Sequence, residues 1–255
     1  MPAPDLPAIA SRLAGRTASI RRILVFGTVG STQDEAAALA RGGAPSGTLV
    51  LAASQTAGRG RVGRAWHSPA GGLYASLVLR PRASPERWPA LAVVAGTALA
   101  EALDASGIAG VRMKWPNDVL LGGRKVAGLL AEAQPAEGFV VLGMGLNLEL
   151  AADLPPELRG IATDLASHLP SGADAAEACE RLLAAVADAC AGALADPVLD
   201  PGRASRWLDR SREVAVGDVR GVPAGITARG ELEIRVPDGS LVRVSTGEVN
   251  DAGGH

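Results

Sequence analysis

Aromatic side chains are scarce in this 255-residue chain: four tryptophans, two phenylalanines and one tyrosine. None is interleaved among the clustered arginines, so the stacking platform of a single-strand nucleic-acid binder is missing there. Cysteine is reduced to Cys179 and Cys190, eleven residues apart in one helical segment, which read as reduced core thiols. With three histidines, none beside those cysteines, a zinc site is not expected. An excess of either charge is lacking: 25 basic against 27 acidic residues leave a net charge of -2. That gives no global attraction to nucleic acid or to an anionic membrane. Met1-Pro2-Ala3-Pro4-Asp5 lacks the cationic start of a signal peptide, and none is expected. The longest uncharged apolar run, Pro89 to Ala100, falls short of a bilayer span, so the expected compartment is the cytoplasm. Lysine is the sharpest scarcity: only Lys114 and Lys125 among the 25 basic residues. These are candidate places where a compact ammonium is required and a guanidinium will not serve.

What is present centres on one stretch, Ser54-Gln55-Thr56-Ala57-Gly58-Arg59-Gly60-Arg61-Val62-Gly63-Arg64-Ala65-Trp66. Arginine forks suit an anion, and the glycines let the backbone approach it closely. Gly58, Gly60 and Gly63 fit the spacing of a dinucleotide fingerprint, and an apolar strand, Thr48 to Ala53, precedes them. That fingerprint needs a helix to open directly after it, and Ala65-Trp66-His67-Ser68-Pro69-Ala70-Gly71-Gly72 forbids one. A phosphate-binding P-loop fails because Gly63 is followed by Arg64-Ala65 and not by Lys-Ser/Thr. A solvated basic loop is the plain alternative.

The rest of the chain frames this stretch. Residues 1 to 22 read as a lead-in with a short helix, and Ile23 to Gly27 as a buried strand. Ser31 or Thr32 caps a helix running to Arg41 and stopped at Gly42-Gly43. Leu73 to Leu79 alternates as a strand; Ser84-Pro85-Glu86 opens a long core helix through Ser106. Val111 to Trp115 is a strand broken at Pro116-Asn117-Asp118. Val119 to Leu121, Lys125 to Ala133 and Phe139 to Leu150 follow as strands, with Gly128 marking close approach of a ligand or another backbone. Residues 151 to 172 are loose and proline-rich, Asp174 to Asp196 is an amphipathic helix, and residues 203 to 210 form a last short helix. Glu213 to Val216, Gly225 to Ala228, Leu232 to Val236 and Leu241 to Ser245 are short strands, with Pro237-Asp238-Gly239 as a hairpin turn. The reading is a first domain over 1-210 and a small SH3-like barrel over 211-255.

Five blocks, in order, resemble the biotin protein ligases. They are Gly30-Ser31-Thr32-Gln33; Gln55 through Trp66; Lys114-Trp115-Pro116-Asn117-Asp118; Arg124-Lys125-Val126-Ala127-Gly128-Leu129-Leu130-Ala131-Glu132; and Gly143-Met144-Gly145-Leu146-Asn147. The short-strand tail resembles that family's C-terminal domain. The resemblance implies an α+β fold: a mixed β-sheet backed by helices, of the kind shared with class II aminoacyl-tRNA synthetases, carrying a C-terminal SH3-like barrel. It implies an ATP-dependent ligase that joins biotin to the α-phosphate of MgATP. The biotinyl-5′-AMP so formed is passed to a lysine of a biotin carboxyl carrier domain.

Two anions must meet in that chemistry, and they repel by several kcal/mol in a partly dry site. Lys125 is the candidate to bridge carboxylate and α-phosphate, with Arg59 and Arg61 as clamps, making these three the catalytic set. Arg64 is assigned to the β,γ-phosphates or to the loop itself. Trp66 is a lid over the ligand or a core tryptophan. Ser31, Thr32, Gln33 and Gln55 are assigned to the ureido end of biotin, with Arg59, Gly60, Arg61, Lys125 and Gly128 also in its site. Asn117 and Asp118 are assigned near the nucleotide, and Asn147 to adenine or ribose. Mg2+ is expected on the ATP phosphates without a dedicated protein cage, Asp118 being the one candidate contact. Lys114 is read as structural, and Glu132 as a solvated carboxylate at a strand edge. The longer family members' DNA-binding domain has no room before residue 25, so no DNA partner is expected, nor a membrane. A monomer and a homodimer remain open. A lipoate or octanoate ligase is the alternative enzyme, disfavoured by the polar Ser31, Thr32 and Gln55.

Overall fold

The computed structural model describes residues 4–150 and 154–251. The ends of the expected lead-in and tail (1–3, 252–255), and the start of the loose segment (151–153), lie outside the described residues.

The chain opens with α1 (Leu6–Ala14), capped by Asp5, and β1 (Arg22–Val29). The expected capped helix is α2 (Thr32–Arg41): the Ser31 hydroxyl accepts from the Gln33 amide at 3.2 Å. Then come β2 (Thr48–Gln55), β3 (Gly72–Leu79), α3 (Ala90–Ala105), β4 (Val111–Lys114), β5 (Asp118–Leu121), β6 (Arg124–Gln134) and β7 (Phe139–Asn147). These strands build one seven-stranded sheet, ordered β1-β2-β3-β7-β6-β5-β4, parallel at β1–β2 and antiparallel elsewhere. The mixed sheet bears out the expected α+β class.

The two faces of the sheet do different work. One packs on α3 and on α4 (Ala175–Gly192), with Leu91, Leu99, Leu103, Leu129, Leu142, Leu146 and Leu182 in a continuous core. Burial of this kind, near 25 cal/mol per Å² of apolar surface, is what holds the layers together. The other face carries α2 over Val50, Val78, Phe139 and Val141, and leaves the carboxy-terminal half of α2's neighbourhood closed while its amino-terminal turn meets a cleft. Burial pushes both core thiols, Cys179 and Cys190, up to about 12, so neither offers a thiolate.

The helical stretch Pro85–Ala105 is longer than the run of residues expected to be too short for a bilayer. It has the length and apolar composition of a span, but 67% of that window is buried inside the protein, as a core helix. Ser84 does not cap it; its hydroxyl turns to Glu86.

After α5 (Pro201–Trp207) come β8 (Val214–Val216), β9 (Val219–Ile226), β10 (Leu232–Arg235), β11 (Leu241–Val244) and β12 (Asn250–Asp251). They form a five-stranded antiparallel sheet, ordered β11-β10-β9-β8-β12, consistent with a small SH3-like fold. β9 starts six residues before the expected strand at Gly225. Pro223 hides it in the sequence, because proline is disfavoured inside strands; a register shift against β10 at Glu233/Ile234 accommodates it. The indole N–H of buried Trp115 donates to Gly230 O at 2.8 Å, pinning this sheet to the tip of β4.

Candidate active site

At the amino-terminal turn of α2 the backbone and side chains form a buried polar floor. Ser31, Thr32, Gln33, Ser68 and Ser76 are each at most 6% exposed. Gln55 Oε1 accepts from the Thr32 amide at 2.8 Å and lies 3.1 Å from the Thr32 hydroxyl. Gln55 Nε2 donates to Ser68 Oγ at 3.0 Å, and Ser68 donates to Trp66 O at 2.9 Å. Ser76 Oγ stands 2.8 Å from Thr32 Oγ1 and 3.0 Å from Gln33 Oε1. Buried hydroxyls and amides persist only when mutually satisfied. This network therefore fixes the direction of each group while keeping neutral donors and acceptors at the cavity wall.

The wall above it is Trp66. Its indole lies against the neighbouring strands β6 and β7 at Gly128 and Gly145, which are cross-strand partners. A Cβ added at Gly128 would come within 2.7 Å of the ring, and one at Gly145 within 2.5 Å. Any side chain at either position would expel the indole, so the close approach expected at Gly128 is that of a tryptophan in this structure. The Trp66 Nε1–H is buried without a hydrogen-bond partner among the described residues.

Lys125 reaches this face through a β-bulge. Strand alternation would put it on the same side as Ala127 and Leu129, in the core. The register against β5 instead slips between Val119 and Leu120, so that Ala127 faces Val119 while Lys125 faces Leu120. Val126 is the extra residue and is fully buried. The Lys125 Nζ then stands 2.8 Å from Asp118 Oδ1 and 4.8 Å from the centroid of the Trp66 ring. Lys125 N donates to Ile161 O at 2.8 Å, and Thr163 N to Lys125 O at 2.9 Å, so the bulge is clamped from outside the sheet.

The arginine stretch folds as a loop over the cavity, with one 3-10 turn at Arg61–Gly63. Val62 occupies the left-handed region at φ 55, a strained conformation for a β-branched residue, and is 82% exposed. Arg61 Nη2 donates to Gly247 O at 2.9 Å, and Nη1 lies 3.4 Å from Asn117 Oδ1. Both partners are neutral, so its charge is left for a ligand. Arg64 pairs with Glu248. Asn117 is clasped to β6: its Nδ2 donates to Leu129 O at 2.9 Å and its carbonyl accepts from the Leu129 amide at 2.8 Å.

Two residues read differently in the fold. The Arg59 guanidinium, expected as a clamp, is paired within the chain: it is bound in a fork to Asp34 at 2.7 and 2.9 Å and to Glu132 at 3.0 and 3.2 Å. The two carboxylates raise the Arg59 pKa further, and Arg59 in turn holds Asp34 below the usual carboxylate range. Glu132 does stand at a strand edge, since β6 pairs with β5 only as far as Gly128, but it is not a solvated carboxylate: it is about one-third exposed and binds both Arg59 and Gln33. Nothing local marks it, because its partners are 73 and 99 residues away in the sequence.

Two cavities meet at Trp66. The first, of about 190 Å³, is lined by every site residue named from the sequence except Asn147, and also by Lys114, Leu130, Glu248 and Val249. The second, of about 180 Å³, lies beyond the indole, lined by His67, Tyr74, Asn147, Leu158 and Ile161. Ala65, Trp66 and Lys125 line both. Lys114, expected to be structural, is thus a half-buried cation of the first cavity. Asn147 uses its Nδ2 on Thr163 O at 3.0 Å and on Lys125 O at 3.3 Å, tying the second cavity's rim. Ser68, Tyr74 and Glu248 were not legible as site residues; each arrives through chain folding from outside the five motif blocks.

Residues 28–147 match the Biotin/lipoate A/B protein ligase family. The chain is 35% identical over 257 residues to a biotin--[acetyl-CoA-carboxylase] ligase of Mycobacterium tuberculosis, covering 96% of this chain and 94% of that protein. It belongs to the biotin protein ligase branch of that family. It is also 40% identical over 160 residues to the bifunctional ligase/repressor BirA of Bacillus spizizenii, a match covering 61% of this chain and 49% of that one. The match thus spans about half the length of that relative. In three dimensions it resembles a biotin protein ligase from Aquifex aeolicus solved with biotin and ATP: TM-score 0.76, 27% identity, 91% of this chain and 98% of that chain covered.

Proposed function

We propose that this protein is an ATP-dependent ligase that activates biotin as biotinyl-5′-AMP and transfers it to a lysine of a carboxylase carrier domain. One observation carries the reading: a polar-floored cavity and a more apolar one share a wall of Trp66, with the Lys125 ammonium standing where they meet. The ureido ring of biotin suits the floor, whose Ser31, Thr32, Gln33 and Gln55 carry both donors and acceptors. Adenine suits the second cavity, against the Trp66 ring and beside Asn147. The unpaired Trp66 N–H is a buried donor that a ligand oxygen would satisfy.

In this arrangement the biotin carboxylate oxygen attacks the α-phosphorus, the bond to the β-bridging oxygen breaks, and pyrophosphate leaves. Lys125 exchanges its ion pair with Asp118 for the two reacting anions, so its charge is spent where negative charge accumulates. Arg61 supports it, and Arg64 is released from Glu248 toward the outer phosphates. The carrier amine then attacks the acyl carbon, AMP leaves, and the amine's proton is lost to solvent. Rate enhancement comes from positioning and electrostatics without a covalent enzyme intermediate.

Among the described residues no three His, Cys, Asp or Glu side chains cluster to hold a metal. Mg2+ would arrive on the ATP phosphates, in keeping with its preference for substrate oxygens and water, with Asp118, once Lys125 has turned to the anions, as the one candidate protein contact. The reading places the enzyme in the cytoplasm, and the net charge of -2 provides no pull toward DNA. A lipoyl chain would make no use of the neutral donors and acceptors that the floor presents, which disfavours it. The test is exchange of labelled pyrophosphate into ATP. Exchange that requires biotin and ignores lipoate supports the reading; exchange with lipoate alone replaces it.

A further inference from the structure

Glu132 touches two parts of the site at once. Its Oε2 accepts from Gln33 Nε2 at 2.9 Å and lies 3.2 Å from Arg59 Nη2, while its Oε1 accepts from Arg59 Nε at 3.0 Å. Gln33 is on the cavity floor, 4% exposed; Arg59 is the first arginine of the loop above it. We propose that Glu132 is a positioning residue that couples the seating of the ligand at Gln33 to closure of the arginine loop. The proposal rests on the biotin reading above and adds to it how the loop senses an occupied site.

The argument begins with the Gln33 amide. Its nitrogen faces acceptors only: Glu132 Oε2, with Val141 O at 3.4 Å and Leu130 O at 3.5 Å behind it. That fixes the opposite end as oxygen, toward the Ser76 hydroxyl at 3.0 Å. Gly143 lets the amide lie on the strand, since a Cβ there would come within 2.8 Å of Gln33 Oε1. A carboxylate at position 132 therefore dictates which face Gln33 shows to the Ser76 and Thr32 hydroxyls, and through them to a ureido group.

The second half is charge. Glu132 is about one-third exposed, so a lone carboxylate there is partly desolvated and needs a cation. Arg59 provides it through a planar fork, and Asp34 on α2 grips the other side of the same guanidinium. When the loop lifts, Glu132 loses its cation and two of its three hydrogen bonds, and Gln33 remains its single partner among those contacts. A correctly presented Gln33 and a closed loop thus stabilise each other through one carboxylate. Such coupling is reciprocal: whatever binds better to the ordered floor also holds the loop down.

The experiment uses the full chain with Glu132→Gln, which keeps shape and removes charge. Three quantities are measured: biotin affinity by calorimetry, the melting temperature, and the rate of tryptic cleavage after Arg59, Arg61 and Arg64 with and without biotin. In the parent protein, saturating biotin is expected to slow cleavage of the loop. In the variant, affinity is expected to fall about tenfold, within the usual span of coupling between sites, and the protection to disappear. A purely structural role would lower the melting temperature and leave biotin's protection intact. Should Glu132→Gln fail to fold, Arg59→Lys keeps the charge but loses the fork, and the same loss of protection is expected. Parental affinity together with undiminished protection in the variant overturns the proposal, as does a parent protein that binds biotin without protecting its loop. A parent that binds no biotin sinks the functional reading itself, a result readily told apart from the others.

Discussion

The Lys125 ammonium stands 2.8 Å from the Asp118 carboxylate and 4.8 Å from the centre of the Trp66 ring. The ion pair holds the cation at the junction of two cavities, where the proposed reaction needs it. Both residues are on the same face only because of the bulge at Val126.

Lys125→Ala should therefore reduce biotin-dependent pyrophosphate exchange by about a hundredfold or more, in the range seen when one preorganised charge donor is removed. Biotin binding should change by only a few-fold, since the ureido floor does not involve this ammonium. Unchanged exchange kinetics at saturating substrates would remove Lys125 from the chemistry.

Gly145→Ala puts a methyl group where the Trp66 indole lies, at a distance no real Cβ contact tolerates. The ring must move, at a cost of about 1–3 kcal/mol typical of overpacking. The expected signature is a raised KM for ATP, larger than the change for biotin, because adenine is assigned to the far side of the ring. Equal changes in both would argue against the indole as the partition.

Arg61→Gly removes the link from the loop to Gly247 and Asn117. The loop should then retain the acyl-adenylate poorly, and amines on bystander proteins should become biotinylated. Mixing the variant with an unrelated lysine-rich protein and blotting for biotin checks this; strict labelling of the carrier alone counts against a closed loop.

The Asp34–Arg59 pair gives a pH dependence with a defined sign. The Asp34 pKa is lowered in the folded protein, chiefly by its hydrogen bonds from Arg59. A depressed carboxylate contributes stability above its unfolded pKa of about 3.9 and loses it as pH falls through the folded value. Asp34 is 64% exposed, so the contribution is small after solvent screening. Loop cleavage rates of the parent and Asp34→Asn should differ by a constant factor from about pH 8 to about pH 5 and converge below about pH 4. A difference that instead changes near neutrality would point to another group.

Much of the site was written in local chemistry. The Ser31 cap, the alternation of glycine and arginine from Gly58 to Arg64, and the two retained lysines each announce themselves within a few residues. So did most strands and helices, since periodicity and turn residues act over short stretches. The start of β9 was hidden by Pro223, whose effect depends on the partner strand's register.

The sequence by itself determined which groups are available: a cationic, glycine-jointed loop, a neutral hydrogen-bonding helix start, and one ammonium in a strand. Only the tertiary structure decided what each of them does. Pairing register turned Lys125 out of the core, and folding brought Glu132 onto Gln33 and, with Asp34, onto the Arg59 guanidinium. The physical reason is that charge and hydrogen-bonding capacity belong to a residue, whereas the partner that uses them up is chosen by contacts between segments dozens of residues apart.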